Sequence, residues 1–254
     1  MKNIIEDAKS VDVNCMIGRS KGCAYKFESA KELEGQMRKC HISRALVGHF
    51  KASAWNMDDG NRSLCEELRS FPNLMPCFHL SSNLGSSALP PASKLKNILK
   101  KAGARAARVS PRSECYDLDS FYASDLLGML DDLRLPLLVN WDELDISSLP
   151  RVCAEYKKIP FILLGAGFRK SRWMFPLLEK RDNVFFDICR FDDSHLLEEI
   201  ITRFGAERLL FGSGMPLLSP GAAMTLVCYS ETSDVNKKKI LSGNWERIEK
   251  GIKL

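Results

Sequence analysis

The sequence predicts a (β/α)8 barrel, an α/β fold in which eight parallel strands alternate with helices. Eight short apolar segments occur along the 254 residues, and each is followed by a segment with apolar residues at helical spacing. The apolar segments are nearly continuous, which is typical of parallel strands covered on both faces. An open doubly wound sheet usually needs only about five or six strands. We therefore expect one barrel domain over residues 1–254, a usual length for this fold.

The predicted strands are short runs rich in Val, Leu, Ile and Phe. Gly103 and Pro160 lie just before two of them and Pro136 begins a third, at points where such residues end a helix or make a turn. In chain order the strands cover residues 11–14, 44–50, 74–80, 105–110, 136–140, 161–165, 183–188 and 208–213.

The segments between these strands have apolar residues three and four positions apart, separated by charged ones. This is the pattern of a helix that packs one face against a sheet. The predicted helices cover residues 29–40, 61–71, 92–103, 121–133, 148–158, 173–181 and 194–205, and residues 222–229 and 235–252 supply the last helices.

The composition argues against several classes of protein. Lys and Arg number 37 against 32 Asp and Glu, and the charges are scattered apart from Lys237–Lys239, so nucleic-acid binding is not expected. No segment approaches the roughly 18 apolar residues of a membrane span, and the first residues have no apolar signal core. The nine cysteines are widely spaced and form no CxxC pair. We expect a cytoplasmic protein whose thiols are free and mostly buried.

In such a barrel the ligand site lies at the carboxyl ends of the strands and on the loops that follow them. The topology therefore selects the residues that could carry chemistry. They are Asn14, Cys15 and Met16, then His49 and Lys51, His79, Arg108, Ser110 and Arg112, Asn140 and Trp141, Gly165 and Gly167, Asp187, Cys189 and Arg190, and Ser213, Gly214 and Met215.

Several of these segments resemble the motifs of one family. VDVNCMIG has the spacing of an Asp-x-His-x-His-x-Gly opening, with Asp12 and Gly18 kept. ERLLFGSGMPL is similar to a Gly-Ser-Asp-x-Pro element after the eighth strand, and KKILSGNWERI to a closing helix with its Gly-Asn pair. Further similarity lies in ARVSPRSECYDLD with the following LLGMLDDLRLPLLVN, in FILLGAG and in RDNVFFDICRF. In order and spacing, the chain resembles the amidohydrolase superfamily, in particular its amidohydrolase-related group of metal-dependent hydrolases and decarboxylases of small aromatic or carboxylated acids.

The resemblance implies a metal site, but this chain has other residues at the positions of its ligands. In the family, histidines of the first, fifth and sixth strands bind the metal, and an aspartate after the eighth strand binds it or activates water. The corresponding residues are Asn14, Met16, Asn140, Gly165 and Gly214. Amide and thioether groups are poor substitutes for imidazole or carboxylate ligands, and glycine offers no side chain. We therefore expect no metal and no other cofactor, and no metal-dependent hydrolysis.

Five residues are candidates for a replacement chemistry. A rearranged metal site could use His49, His79, Cys15, Cys189 and Asp187, and Cys15 or Cys189 could act as a nucleophile paired with His49. The alternative is that the histidines are packed or hydrogen-bonded and that the thiols are buried and inert.

The strand ends keep positive charge and aromatic surface. Lys51, Arg108, Arg112 and Arg190 could converge on a carboxylate or phosphate, with Trp141 and Trp55 as walls. The alternative is that the arginines pair with local acids such as Glu114, Asp117, Asp142 and Asp192. The predicted ligand site consists of Lys51, Arg108, Arg112, Arg190 and Trp141 together with Asn14, Asn140 and Ser213.

Two functions follow from these observations. The first is a catalytically degenerate protein that binds a small anion or a partner, and the second is a divergent hydrolase or lyase for a small carboxylated substrate without the ancestral metal. We also expect a homodimer, the commonest closed assembly.

Overall fold

The fold is a (β/α)8 barrel, as predicted. The computed structural model describes residues 8–20, 28–82, 92–193 and 195–254. Eight parallel strands form one sheet in the order of the sequence. They are β1 (Val11–Ile17), β2 (Arg44–His49), β3 (Leu74–His79), β4 (Ala106–Val109), β5 (Leu137–Asn140), β6 (Phe161–Leu164), β7 (Val184–Asp187) and β8 (Leu209–Leu210).

The barrel is closed by hydrogen bonds between β1 and the segment after β8. The amide of Val13 donates to the carbonyl of Phe211 at 2.9 Å, and that of Met16 to the carbonyl of Met215 at 2.9 Å. These isolated contacts replace a regular ladder, and β8 is therefore only two residues long instead of the predicted run 208–213. The closure brings Asn14 and Ser213 to the same rim.

The helices surround the sheet, and most lie where the sequence predicts them. They are α1 (Ala30–Lys39), α2 (Phe50–Ala54), α3 (Met57–Leu68), α4 (Ala92–Ala102), α5 (Ser124–Leu133), α6 (Leu149–Glu155), α7 (Ser171–Lys180), α8 (Leu196–Phe204), α9 (Pro220–Tyr229), α10 (Asp234–Lys238) and α11 (Asn244–Lys250), with a 3-10 turn at Trp141–Glu143 and a π turn at Lys239–Gly243. None of the helices in the described residues is long and apolar enough to cross a membrane.

Capping residues decide some helix boundaries that periodicity misses. The predicted helix at 61–71 begins earlier, at Met57, because the side chain of Asn56 accepts a hydrogen bond from the amide of Asp59. Ser29 and Glu32 form a reciprocal capping box that starts α1 close to its predicted position. The short helix α2 is not predicted, since five residues are too few to show a period.

Helix α11 packs a large side chain into the interior of the barrel at its amino-terminal end. Trp245 of α11 is 1% exposed and packs with barrel residues such as Val11 and Leu46. At the same end Glu249 accepts two hydrogen bonds from Arg44, at 2.7 and 3.0 Å, and its Oε1 lies 3.4 Å from Nε of Arg105. These contacts stabilise the end opposite to the one where barrels of this type place their ligand sites.

Candidate functional site

A cavity of about 300 Å3 opens at the carboxyl ends of the strands. Its volume is at the small end of the range for small-molecule sites. The polar residues of its wall are Asn14, Ser53, Arg108, Ser110, Asn140, Asp142, Glu143, Cys189 and Arg190. The apolar ones are Met16, Phe50, Trp141, Leu164, Met215, Leu217 and Leu218, and Gly165 and Gly214 complete the wall. The cavity thus combines two cationic and two acidic side chains with an apolar surface.

Three side chains are hydrogen-bonded in series across the floor of this cavity. Nη2 of Arg108 donates to Oδ1 of Asn14 at 2.6 Å, and Nδ2 of Asn14 donates to Oδ2 of Asp187 at 2.8 Å. We call Arg108, Asn14 and Asp187 the floor chain. Because a guanidinium can only donate and an ionised carboxylate can only accept, the amide of Asn14 has one consistent orientation between them.

Asp187 is fully buried and anchors the floor chain. Its second oxygen, Oδ1, accepts a hydrogen bond from the amide of Gly165 at 2.8 Å. Burial raises the pKa of the Asp187 carboxyl, and hydrogen bonds from the Gly165 amide and from the side chains of Cys189 and Asn14 oppose that shift. Gly212 leaves room for this carboxylate, because a Cβ there would lie 2.6 Å from Oδ2 of Asp187. No pattern in the sequence predicts this role of Gly212.

The two cations of the cavity differ in burial. Arg108 is 7% exposed, and its Nε has no hydrogen-bond partner among the described residues. Arg190 is exposed, and its guanidinium makes no hydrogen bond or ion pair within the described part of the chain. The predicted pairing of these two arginines with local acids is therefore not found among those residues. Both groups can donate hydrogen bonds to an anion in the cavity.

Glycines of the β6 loop set the position of Arg190. A Cβ on Gly167 would lie 2.2 Å from the backbone oxygen of Arg190, so a side chain there would push the two loops apart. At Gly165, which has a φ of +69°, the nearest atom to a Cβ would be Cδ of Arg190 at 3.7 Å. The sequence predicts Gly165 only as a missing metal ligand, whereas the structure shows that it also contributes the amide that binds Asp187.

A second buried carboxylate lies behind the floor chain. Oδ1 of Asp12 accepts hydrogen bonds from the amides of Asn14 and Ser213, both at 3.0 Å, and so ties β1 to the segment after β8. Its Oδ2 has no partner among the described residues, and burial raises the pKa of the group. Ser213 is 1% exposed and its Oγ accepts from the amide of Met215, so this predicted ligand residue lies behind the cavity wall.

The thiols near the cavity are held in their protonated form. Cys189 lines the wall, and burial together with the neighbouring charge of Asp187 raises the pKa of its thiol strongly. Burial also raises the pKa of Cys15 well above its usual value. Since the thiolate is the nucleophile, this environment does not activate either cysteine.

Both histidine candidates lie outside the central cavity wall. Nδ1 of His49 accepts from the amide of Lys51 at 3.0 Å, and its Nε2 lies 3.3 Å from Oε1 of Glu67. His79 pairs through Nε2 with Glu114. Each imidazole thus has a local carboxylate partner, and neither contacts Cys15 or Cys189 through a hydrogen bond among the described residues.

The remaining predicted ligand residues divide between two cavities. Asn140 and Trp141 line the central cavity, whereas Lys51, which reaches Ser63 at 3.5 Å, does not. Arg112 lines a neighbouring cavity of about 280 Å3, and its Nη2 donates to the carbonyl of Leu144 at 3.2 Å. Trp55 is 68% exposed and lies outside both walls. The structure therefore brings Arg108 and Arg190 together and leaves Arg112 and Lys51 apart from them.

Among the described residues, no group of three His, Cys, Asp or Glu side chains lies close enough to hold a metal ion.

Comparisons with solved structures identify the same barrel in other proteins. A 2,6-dihydroxybenzoate decarboxylase from Rhizobium superposes with a TM-score of 0.76 at 13% identity, covering 95% of this chain and 98% of that one. A 5-carboxyvanillate decarboxylase from Novosphingobium aromaticivorans gives a TM-score of 0.75 at 10% identity, with 95% and 96% covered. An uncharacterized TIM-barrel protein from Bordetella bronchiseptica gives 0.73 at 14%, with 95% and 98% covered. At such identities the likeness shows the fold alone.

Sequence comparison assigns the family. No curated protein sequence matches the chain. The family model described as Amidohydrolase matches residues 83–248, which is more than half of the chain and includes the strands from β4 to β8. The chain belongs to this amidohydrolase family.

Proposed function

We propose that this barrel binds a small organic monocarboxylate in the central cavity, without a bound metal ion. The observation that carries the proposal is the state of Arg108. Arg108 is 7% exposed and lines the cavity, and its guanidinium has a neutral amide as its one hydrogen-bonded side-chain partner in the described chain. A buried charge is costly unless it is paired, and a ligand carboxylate would supply the missing partner through charge-assisted hydrogen bonds.

The rest of the cavity suits a compact apolar body joined to the carboxylate. Phe50, Trp141, Leu164 and Met215 provide apolar surface, and Arg190 stands at the rim as a second cation. Two structural neighbours support this ligand class. One was solved with 2,6-dihydroxybenzoate, and another with manganese and 4-hydroxy-3-methoxy-5-nitrobenzoic acid.

The donor set does not fit the divalent metal that the family resemblance implies. Both ends of the Asn14 amide are engaged, by Arg108 at 2.6 Å and by Asp187 at 2.8 Å. Gly165 and Gly214 have no side chain to offer, and Met16 contributes a thioether, a poor ligand for a hard divalent ion. The guanidinium beside Asn14 would also repel a second cation. We derive no step through a metal.

The proposal predicts metal-independent binding of benzoate that depends on Arg108. After treatment with a chelator, the protein should bind benzoate in a calorimetric titration, and added manganese or zinc should not raise the affinity. Arg108→Met should weaken binding at least about tenfold, because a hydrogen bond to a charged group contributes about 1.5–3 kcal/mol and 1.4 kcal/mol is a factor of ten.

Methionine is a suitable replacement because its unbranched side chain fills much of the space of arginine without carrying a charge. The matched control is Arg38→Met, since Arg38 is exposed in α1 and pairs with Glu34. Equal benzoate affinity in Arg108→Met and the wild type would refute the proposal.

A divergent lyase is the second candidate, and one observation favours it. Decarboxylation replaces a carboxylate by a proton, and the thiol of Cys189 lies in the cavity wall, where it could donate that proton. Incubation of chelator-treated protein with 2,6-dihydroxybenzoate tests this function. Release of carbon dioxide and resorcinol that disappears in Cys189→Ala would support it, and no turnover would leave binding as the function.

A further inference from the structure

The floor chain contains a neutral amide between two groups of opposite charge. We propose that Asn14 is a positioning residue that aims the guanidinium of Arg108 into the cavity and keeps the carboxylate of Asp187 from pairing with it. The inference rests on the proposed carboxylate binding and names the residue that makes Arg108 available for it.

The direction of every hydrogen bond in the floor chain follows from its anchored end. Asp187 accepts from the Gly165 amide at Oδ1 and from Nδ2 of Asn14 at Oδ2, both at 2.8 Å. The NH2 end of Asn14 must therefore face Asp187. Its oxygen faces Arg108 and accepts from Nη2 at 2.6 Å. The backbone amide of Asn14 is fixed as well, by Oδ1 of Asp12 at 3.0 Å.

The chemistry of position 14 decides how much positive charge the cavity keeps. A carboxylate there would pair directly with Arg108 and neutralise it, since arginine and carboxylate groups form strong bidentate pairs. An apolar residue would leave Nη2 of Arg108 and Oδ2 of Asp187 without partners in a buried site. The amide satisfies both groups and carries no charge. The charge of Arg108 therefore remains available to the ligand, although the fully buried carboxylate of Asp187 lies on the other side of the Asn14 amide.

Exchanging the side chains of Asn14 and Asp187 tests separately the hydrogen bonds of the floor chain and the position of its negative charge. In Asp187→Asn, the new amide must present its NH2 group either to the Gly165 amide or to Nδ2 of Asn14, and both are donors. In Asn14→Asp, two carboxylates face each other where Asn14 and Asp187 now meet. In the double variant Asn14→Asp with Asp187→Asn, all hydrogen bonds can form again, but the negative charge now lies against Arg108.

Thermal unfolding and benzoate titration of these four proteins test the two parts of the inference. Each single variant should unfold at least about 5 °C below the wild type, and the double variant should recover more than half of the summed loss. Benzoate affinity should nevertheless stay at least about tenfold weaker in the double variant, because its Arg108 is neutralised. The control Asn73→Asp makes the same change of charge just before β3, at the other end of the barrel, and should keep the wild-type affinity.

Two outcomes would overturn the inference. Additive losses of thermal stability would show that residues 14 and 187 are not coupled, and wild-type benzoate affinity in the double variant would show that the position of the charge is unimportant. A wild-type protein that fails to bind benzoate would refute the proposed function instead. Non-additive stability losses would then still show that the side chains of Asn14 and Asp187 hold each other in place.

Discussion

Replacing Gly212 by alanine should destabilise the protein through Asp187. A Cβ at Gly212 would lie 2.6 Å from Oδ2, 2.8 Å from Cβ and 3.1 Å from Cγ of Asp187, so at least two contacts are shorter than atoms tolerate. Forcing an extra methyl group into a packed site costs about 1–3 kcal/mol. If the carboxylate moves to relieve the overlap, it weakens its hydrogen bonds to Gly165 and Asn14, each a bond to a charged group with a contribution of about 1.5–3 kcal/mol. We expect a total loss of at least about 2 kcal/mol.

Urea unfolding of Gly212→Ala, followed by far-UV circular dichroism, measures this loss. Gly35 in α1 and Gly128 in α5 are matched controls, because a Cβ on either meets nothing within 4 Å. Alanine in those helices should stabilise the protein by up to about 1 kcal/mol, the difference in helix propensity. Because Gly212 does not have a left-handed backbone, an opposite result for it isolates the contact with Asp187. A Gly212→Ala protein within about 0.5 kcal/mol of the wild type would refute the reasoning.

Two further predictions concern the titratable groups behind and beside the cavity. Burial raises the pKa of Asp12 above 3.8, so the stability that this group contributes is present below its unfolded pKa and is lost as pH rises through its folded pKa. Asp12→Asn keeps the acceptor for the amides of Asn14 and Ser213. As the pH is raised from about 4 to 7, urea unfolding should show that the stability of this variant falls less than that of the wild type. An equal pH dependence of the two proteins would contradict this account. Cys189 should react slowly with iodoacetamide at mildly alkaline pH because burial and Asp187 keep its thiol protonated, whereas Cys115 is exposed. Mass spectrometry that finds Cys189 labelled as fast as Cys115 would be inconsistent with that environment.

The barrel could be predicted from the sequence because its signal is repeated. Eight apolar runs, each followed by an amphipathic segment, leave few alternative topologies, and the structure has the eight parallel strands in chain order. The boundaries of individual helices and strands were harder to predict from the sequence. The start of α3 at Met57 depends on the side-chain cap from Asn56, and the short β8 depends on how the segment after it meets β1.

The site was predictable only as far as the topology assigns residues to strand ends. That rule selects Arg108, Arg112 and Arg190 equally, whereas the structure places Arg112 in a neighbouring cavity with the carbonyl of Leu144 as its acceptor. Which side of a loop a long side chain occupies is decided by contacts between loops, and these join residues far apart in the chain. The pairing of His79 with Glu114 is another such contact, across 35 residues.

The residues at the floor of the cavity have to be interpreted together. The family resemblance alone presents Asn14 as the counterpart of an expected histidine, and Gly165 and Gly214 as residues without a donor. In the structure, Gly165 supplies an amide to Asp187, Asp187 orients Asn14, and Asn14 accepts from Arg108. Asn14 and Gly165 are therefore both engaged by neighbouring groups of the chain. A guanidinium held in place by the chain supplies positive charge without a dissociable ion. On our proposal, this is how the barrel can attract a carboxylate at the place where its relatives are expected to use a metal.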